Sequence, residues 1–181
     1  MIRRFFSQIY LYLLWLIVAV MFWGWIFSLK TDTSAEKKVM VFADVDAMDE
    51  VGLSAKLEEE MPEGIRMVQA HPFSYVIFNE NLLVNADVFI VPENEIEELL
   101  DTFAPMEREE GETYYEVDGV AYGKKIYDSA TKEGPAKTFI TYTTDKDDSQ
   151  DYYLFYGIYS LHTGSLDEAA YEIANHLLCL P

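Results

Sequence analysis

Chemistry in this chain would have to come from carboxylates. Two of them, Asp44 and Glu93, stand just past apolar runs, "VMVFA" (39–43) and "ADVFIV" (86–91). A pair of acids in unlike surroundings can divide general-acid and general-base work. Set about 5–10 Å apart, with one against an apolar wall, they would make a carboxylate-dependent hydrolase. Other catalytic signatures are missing: no G-x-x-x-x-G-K-[ST], G-x-S-x-G, H-E-x-x-H or C-x-x-C occurs. His71, His162 and His176 are isolated in the sequence. His176 and Cys179 share a helix face at i, i+3, but two ligands do not make a zinc site, and packing accounts for them. "DKDDSQD" (145–151) places Asp145, Asp147, Ser149 and Asp151 at calcium-loop spacing. Its sixth position is Gln150 rather than Gly and its twelfth is Tyr156 rather than Glu, so it reads as a solvated turn. The chain therefore reads as non-enzymatic, with no cofactor and no metal.

The elements that would carry Asp44 and Glu93 follow from the apolar spacing. "VMVFA" is the continuous run of a strand covered on both faces. Asp44 and Asp46 are placed to cap a helix running to about Met61, with a stripe at Leu53, Leu57 and Met61. "PEG" (62–64) breaks it, "IRMVQA" (65–70) reads as a second strand stopped by His71-Pro72, and Ser74 can cap a short helix through Leu83. "DVFIV" is a third strand, ended by Pro92. Beyond it Ile96, Leu99, Leu100 and Phe103 share one helix face, and Glu93, Glu95 and Glu97 sit where the helix dipole favours negative charge. Strands alternating with helices predict a three-layer α/β arrangement with parallel strands.

After Pro105 the pattern becomes turn-punctuated. "ETYYEVDGVAYGKKIYD" is a hairpin about Asp118-Gly119. "KTFITYTT" (137–144) and "YYLFYGIYS" (152–160) read as a further antiparallel pair. Ser165 and Glu168 form a capping box ahead of a last helix whose face is Leu166, Ala170, Ile173, Leu177 and Leu180. The expected fold is thus α/β with a mixed sheet, three parallel strands at its centre and antiparallel hairpins beside them.

Residues 5–29, "FFSQIYLYLLWLIVAVMFWGWIFSL", carry no charge, and 25 positions suffice to cross a hydrocarbon core. Arg3 and Arg4 precede them, and Trp15, Trp23 and Trp25 supply interfacial aromatics. The run is too long for a cleaved signal peptide and no small-x-small site follows, so it reads as a retained signal anchor. Residues 1–29 are then the anchor, 30–38 a polar linker and 39–181 one domain, placed extracytoplasmically because short basic N-termini usually stay in the cytoplasm. Past residue 30 lie all 32 acidic residues but only ten of the 13 basic ones, a formal charge of −22. That field repels nucleic acid and anionic lipid headgroups and argues against both as partners; it suits a cationic ligand, or solubility alone. The single cysteine, Cys179, excludes an internal disulfide and a lipid-modified N-terminal cysteine.

"KVMVFADVDAMDEVGLSAKLEEEMPEGIRMVQ", "ADVFIVPENEIEELL" and "VDGVAYGKKIYD", in this order, resemble the first lobe of extracellular solute-binding proteins of ABC importers. "YYLFYGIYSLHTGSLDEAAYEIANHLL" is similar to the strand and helix that complete such a lobe. The resemblance covers residues 39–180. It implies a binding or interaction module that takes a small solute or a membrane protein partner, with Asp44, Pro92, Glu93 and Tyr122 facing the cleft. Each also has a plain structural role: helix cap, strand stop, first-turn acid and hairpin aromatic. Unlike that family, this chain has no residues for a second lobe and carries a membrane helix. An acidic structural subunit docking on a basic partner is a further reading.

Overall fold

The computed structural model describes residues 2–31, 33–72, 86–142, 150–164 and 167–181. Along the chain these form α1 (Ile2–Thr31), β1 (Lys38–Ala43), β2 (Ala47–Met48), α2 (Glu50–Leu57), β3 (Met67–Pro72), β4 (Val88–Pro92) and a short α3 (Ile96–Leu99). β5 (Phe103–Ala104), β6 (Tyr114–Val117), β7 (Val120–Tyr127), β8 (Ile140–Thr141), β9 (Tyr152–Gly157) and α4 (Ala169–Cys179) follow. Two compact units result, residues 1–34 and 35–181. In the first, Ile9–Phe27 is a 19-residue stretch of mean hydropathy 2.1, long and apolar enough to cross a membrane.

The second unit is α/β and is built on a seven-stranded mixed sheet ordered β3-β1-β4-β9-β7-β6, with β5 on β9. β3, β1 and β4 are parallel, Val41 lying opposite Ala70 on one side and Val88 on the other. β9 runs antiparallel to β4 and to β7, and β7 is antiparallel to β6. The parallel trio therefore makes up one flank of the sheet rather than its centre. β9 takes the central place because all but one of its residues are buried, so it can be covered on both faces.

That placement also overturns the expected pairing of 137–144 with 152–160. Both edges of β9 are occupied, by β4 on one side and β7 and β5 on the other. β8 pairs instead with β2, Ala47 opposite Thr141, in a separate two-stranded sheet.

Alternation along the strands sends side chains to two cores. On one face Val39, Val41, Val88, Ile90 and Leu154 meet Leu53 and Leu57 of α2 and Ile173 and Leu177 of α4. On the other Phe89, Val91, Tyr153 and Phe155 meet Ile96 and Leu99 of α3 and Phe103 of β5. Helix, sheet and helix make the three layers.

Several local expectations change in the structure. Neither Asp44 nor Asp46 caps α2; Asp49 does, its Oδ1 accepting from Gly52 N–H at 3.0 Å. α2 ends at Leu57 in a tight turn over Glu58–Glu60, and Met61, expected on the stripe, is 41% exposed. The helix face expected after Pro92 is broken up: Phe103 lies in β5, where its ring stacks on Phe155 at 4.1 Å. Three consecutive turns of differing pitch over residues 93–102 leave only α3 as α-helix.

The hairpin is as read, with Asp118 (φ 51°) and Gly119 (φ 80°) in the left-handed region that a two-residue primed turn requires. Asp167 Oδ1 accepts from Ala169 N–H at the start of α4, while Glu168 makes no side-chain cap bond. Ser165 and Leu166, the expected helix 74–83, and Asp145, Asp147 and Ser149 lie outside the described residues.

Candidate functional site

β1 and β4 end side by side, and Asp44 N–H continues the ladder by donating to Ile90 O at 2.8 Å. This backbone bond holds the half-buried Asp44 carboxyl beside Glu95. Burial, a hydrogen bond shared with Glu95, and the like charges of Glu95 and Asp46 push Asp44 from 3.8 up to about 7. The pair thus holds a proton near neutral pH. Glu93 N–H donates to Asp151 O at 3.0 Å, which ties the turn after Pro92 to the start of β9. Lys125 Nζ reaches Asp151 Oδ2 at 2.6 Å and Asp128 Oδ2 at 3.1 Å, closing this end of the sheet with an ion-pair network.

Three of the four expected cleft residues, Asp44, Pro92 and Glu93, are therefore gathered at the carboxyl ends of the parallel strands. Tyr122 is not among them. Pro92 stands in the row of Tyr152 and Tyr127, whereas Tyr122 precedes Gly123, whose row holds Phe155 and Phe89. Its ring packs on the second core, toward the other end of the sheet. Glu95, expected only as a first-turn acid, is the partner of Asp44, a pairing that the tight turn after Pro92 makes and that spacing does not signal. Among the described residues no group of three or more His, Cys, Asp or Glu is arranged to hold a metal ion.

The Asp44 pair has a measurable consequence. Between pH 3.8 and about 7 the folded chain keeps a proton that the unfolded chain releases. Stability therefore falls as pH rises through that window. The full shift corresponds to about 4 kcal/mol, and solvent at this half-buried site screens it below that value. Asp44→Asn is expected to raise the unfolding temperature at pH 8 and to flatten the curve between pH 4 and 7. Parallel curves for the two proteins would refute the shared proton.

Among the described residues a concave surface lies elsewhere. A groove of about 620 Å³ opens between the segment Pro105–Glu109 and α4, floored by Lys124, Leu154 and Tyr156. Lys124 Nζ is held by Glu109 Oε2 at 2.8 Å and Glu112 Oε1 at 3.1 Å. Tyr114 OH accepts from Glu109 N–H at 2.8 Å. The Tyr156 and Tyr171 rings meet edge to face at 4.5 Å, and Tyr171 OH donates to Thr163 O at 3.3 Å. The groove wall is thus aromatic and hydrogen-bonded in place. The two sides of the groove, the segment Pro105–Glu109 and α4, lie far apart in the sequence and meet over β9 and β7.

A third cluster has the residue types of a hydrolase and a different geometry. His162, read as isolated, is 1% exposed; its Nδ1 lies 2.8 Å from Asp167 Oδ2 and its Nε2 3.0 Å from Ala35 O. Both partners offer acceptor oxygens, so the geometry favours a proton on each ring nitrogen, the imidazolium form. Burial opposes that charge, but the bonds to Ala35 and Asp167 and the charge of Asp87 outweigh it and raise the pKa. Ser160 Oγ donates to Asp87 Oδ1 at 2.5 Å and accepts from His162 N–H, so it is not aligned with the ring as a nucleophile. No family model, curated protein or solved structure matches the chain.

Proposed function

We propose that this chain is a membrane-anchored, extracytoplasmic binding or interaction module without catalytic activity, similar to one lobe of an ABC-importer solute-binding protein. The observation that carries the reading is the open groove of about 620 Å³, walled by Tyr114, Tyr156 and Tyr171. Aromatic walls with a few fixed polar groups are how proteins hold small molecules and partner side chains. A groove open along one side buries less of a ligand than an enclosed pocket does, so the expected affinity is modest or dependent on a partner chain.

The test is a thermal-unfolding screen of the full chain in phosphatidylcholine nanodiscs, followed by near-ultraviolet tyrosine circular dichroism. Amino acids, sugars, polyamines and divalent metals form the panel. A ligand at a hundred times its dissociation constant adds about 2.7 kcal/mol of stability. That gain is expected to vanish in Tyr171→Leu. A shift that survives this change and is lost in Asp44→Asn would move the site to the strand ends.

The Asp44–Glu95 pair favours a second reading, a carboxylate-dependent hydrolase, since an acid pushed up to about 7 is poised to donate a proton. Hydrolysis of a glycoside or ester panel by the purified chain, abolished by Asp44→Asn, would establish it over the first.

A further inference from the structure

The groove between Pro105–Glu109 and α4 is unevenly charged. Its lining carries the carboxylates of Glu107, Glu109 and Glu168 and, among the described residues, the cations of Arg108 and Lys124. Both cations are already matched. Arg108 Nη2 reaches Glu116 Oε2 at 2.9 Å and donates to Gly119 O at 2.9 Å. Lys124 is shared between Glu109 and Glu112, which brings a further acid beside the groove. Glu107 and Glu168 remain. Both are exposed, and among the described residues neither carboxylate is hydrogen-bonded or ion-paired. They stand on opposite sides, Glu107 in the segment after Pro105 and Glu168 just before α4. Yet both act on one hydroxyl: burial and then the charges of Glu107 and Glu168 push Tyr171 above its ordinary range.

The floor already holds one ammonium of its own. The Lys124 side chain is 18% exposed, and burial opposes its charge. The bonds to Glu109 and Glu112 outweigh that cost and raise its pKa, so a primary ammonium is stable in this half-dry place. The walls suit an organic cation. Tyr114, Tyr156 and Tyr171 line the groove, and a tyrosine ring both attracts a desolvated cation and packs against methylenes. A bare metal ion is a poorer match, since no three acids among the described residues converge as ligands.

We propose that the groove takes a small alkyl diamine or polyamine, one ammonium held between Glu107 and Glu168 and the methylene chain against Tyr156 and Tyr171. The inference rests on the groove being the binding site and names the class of ligand it takes. A neutral sugar would leave the two carboxylates unmatched, and an anion would be repelled by them.

The test titrates cadaverine into the full chain in phosphatidylcholine nanodiscs at fixed ionic strength, read by calorimetry and near-ultraviolet tyrosine circular dichroism. Its diol analogue of equal length is the uncharged match. Cadaverine is expected to bind and to change the tyrosine signal, and the diol to do neither. Glu107→Gln with Glu168→Gln should weaken cadaverine at least about tenfold. Glu60→Gln with Glu63→Gln removes the same charge from exposed positions outside the groove lining and should leave the affinity unchanged. Equal weakening by the two double variants would mean that the amine reads only net charge, and overturns the proposal. Binding of the diol as tightly as cadaverine, lost in Tyr171→Leu, overturns the cation and keeps the groove. Absence of a tyrosine signal with solutes of any charge overturns the groove reading and the proposal with it.

Discussion

Replacing Asp87 by alanine is expected to cost about 3–5 kcal/mol of folding stability. Asp87 is 2% exposed, and its two carboxylate oxygens serve different strands. Oδ2 accepts from Met40 N–H of β1 at 2.8 Å, and Oδ1 accepts from Ser160 Oγ beyond β9. Burial pushes its pKa upward, opposed by the bonds from Ser160 and Met40 and by the His162 charge. Alanine leaves the Met40 N–H unsatisfied and removes one of the two carboxylates that balance the buried imidazolium. Asp87→Asn keeps one acceptor, for Met40 N–H, and puts an NH2 donor where Ser160 Oγ donated. The Ser160 hydroxyl must then turn to accept and the charge is lost; the change should cost roughly half as much. Urea unfolding of both variants decides the matter; a loss below about 1 kcal/mol in Asp87→Ala would mean that the network is ornamental. The wild-type network is also pH-dependent. Because His162 is raised above 6.5 in the folded chain, its contribution is complete below that pH and is lost as pH climbs through the folded value.

The second large effect lies in the aromatic core. Phe155 is wholly buried, stacked on Phe103 at 4.1 Å, and its ring lies over Gly123 of the neighbouring strand. A Cβ on Gly123 would come within 2.3 Å of that ring, and Phe155 cannot retreat because Phe103 backs it. Gly123→Ala is expected to cost about 1–3 kcal/mol by overpacking, and Phe155→Ala about 3–5 kcal/mol by leaving a cavity. The two should not add. With the ring gone, the new methyl at 123 meets open space, so the double variant is expected to be no less stable than Phe155→Ala alone. Simple additivity of the two losses in denaturant titrations would show that the glycine serves some other purpose.

Short-range patterns were enough for the pieces whose partners lie nearby in sequence. The apolar run 39–43 and the run ending at Pro92 are strands because residues of that kind are stable only when covered on both faces. The Asp118-Gly119 turn is a hairpin because its dihedrals demand those residues. The charge-free residues 5–29 read as a span because nothing in them needs water. The mixed α/β character follows from these elements, as does the gathering of Asp44 and Glu93 at adjacent strand ends.

What the tertiary structure alone decided is which strand neighbours which, and everything that depends on it. β9 displaces the parallel trio from the centre because its residues are apolar on both faces, a property that marks burial without naming a partner. β8 pairs with β2, Ala47 opposite Thr141 from the far side of the domain sequence, because β9 has no free edge left. Glu95 meets Asp44, and His162 meets Ala35, through contacts that no local spacing encodes. The groove exists because the segment Pro105–Glu109 and α4, far apart in the sequence, are brought to one face of the sheet. Local patterns record what a residue must do with water; the choice among equally dry partners is made by packing, when the chain has closed on itself.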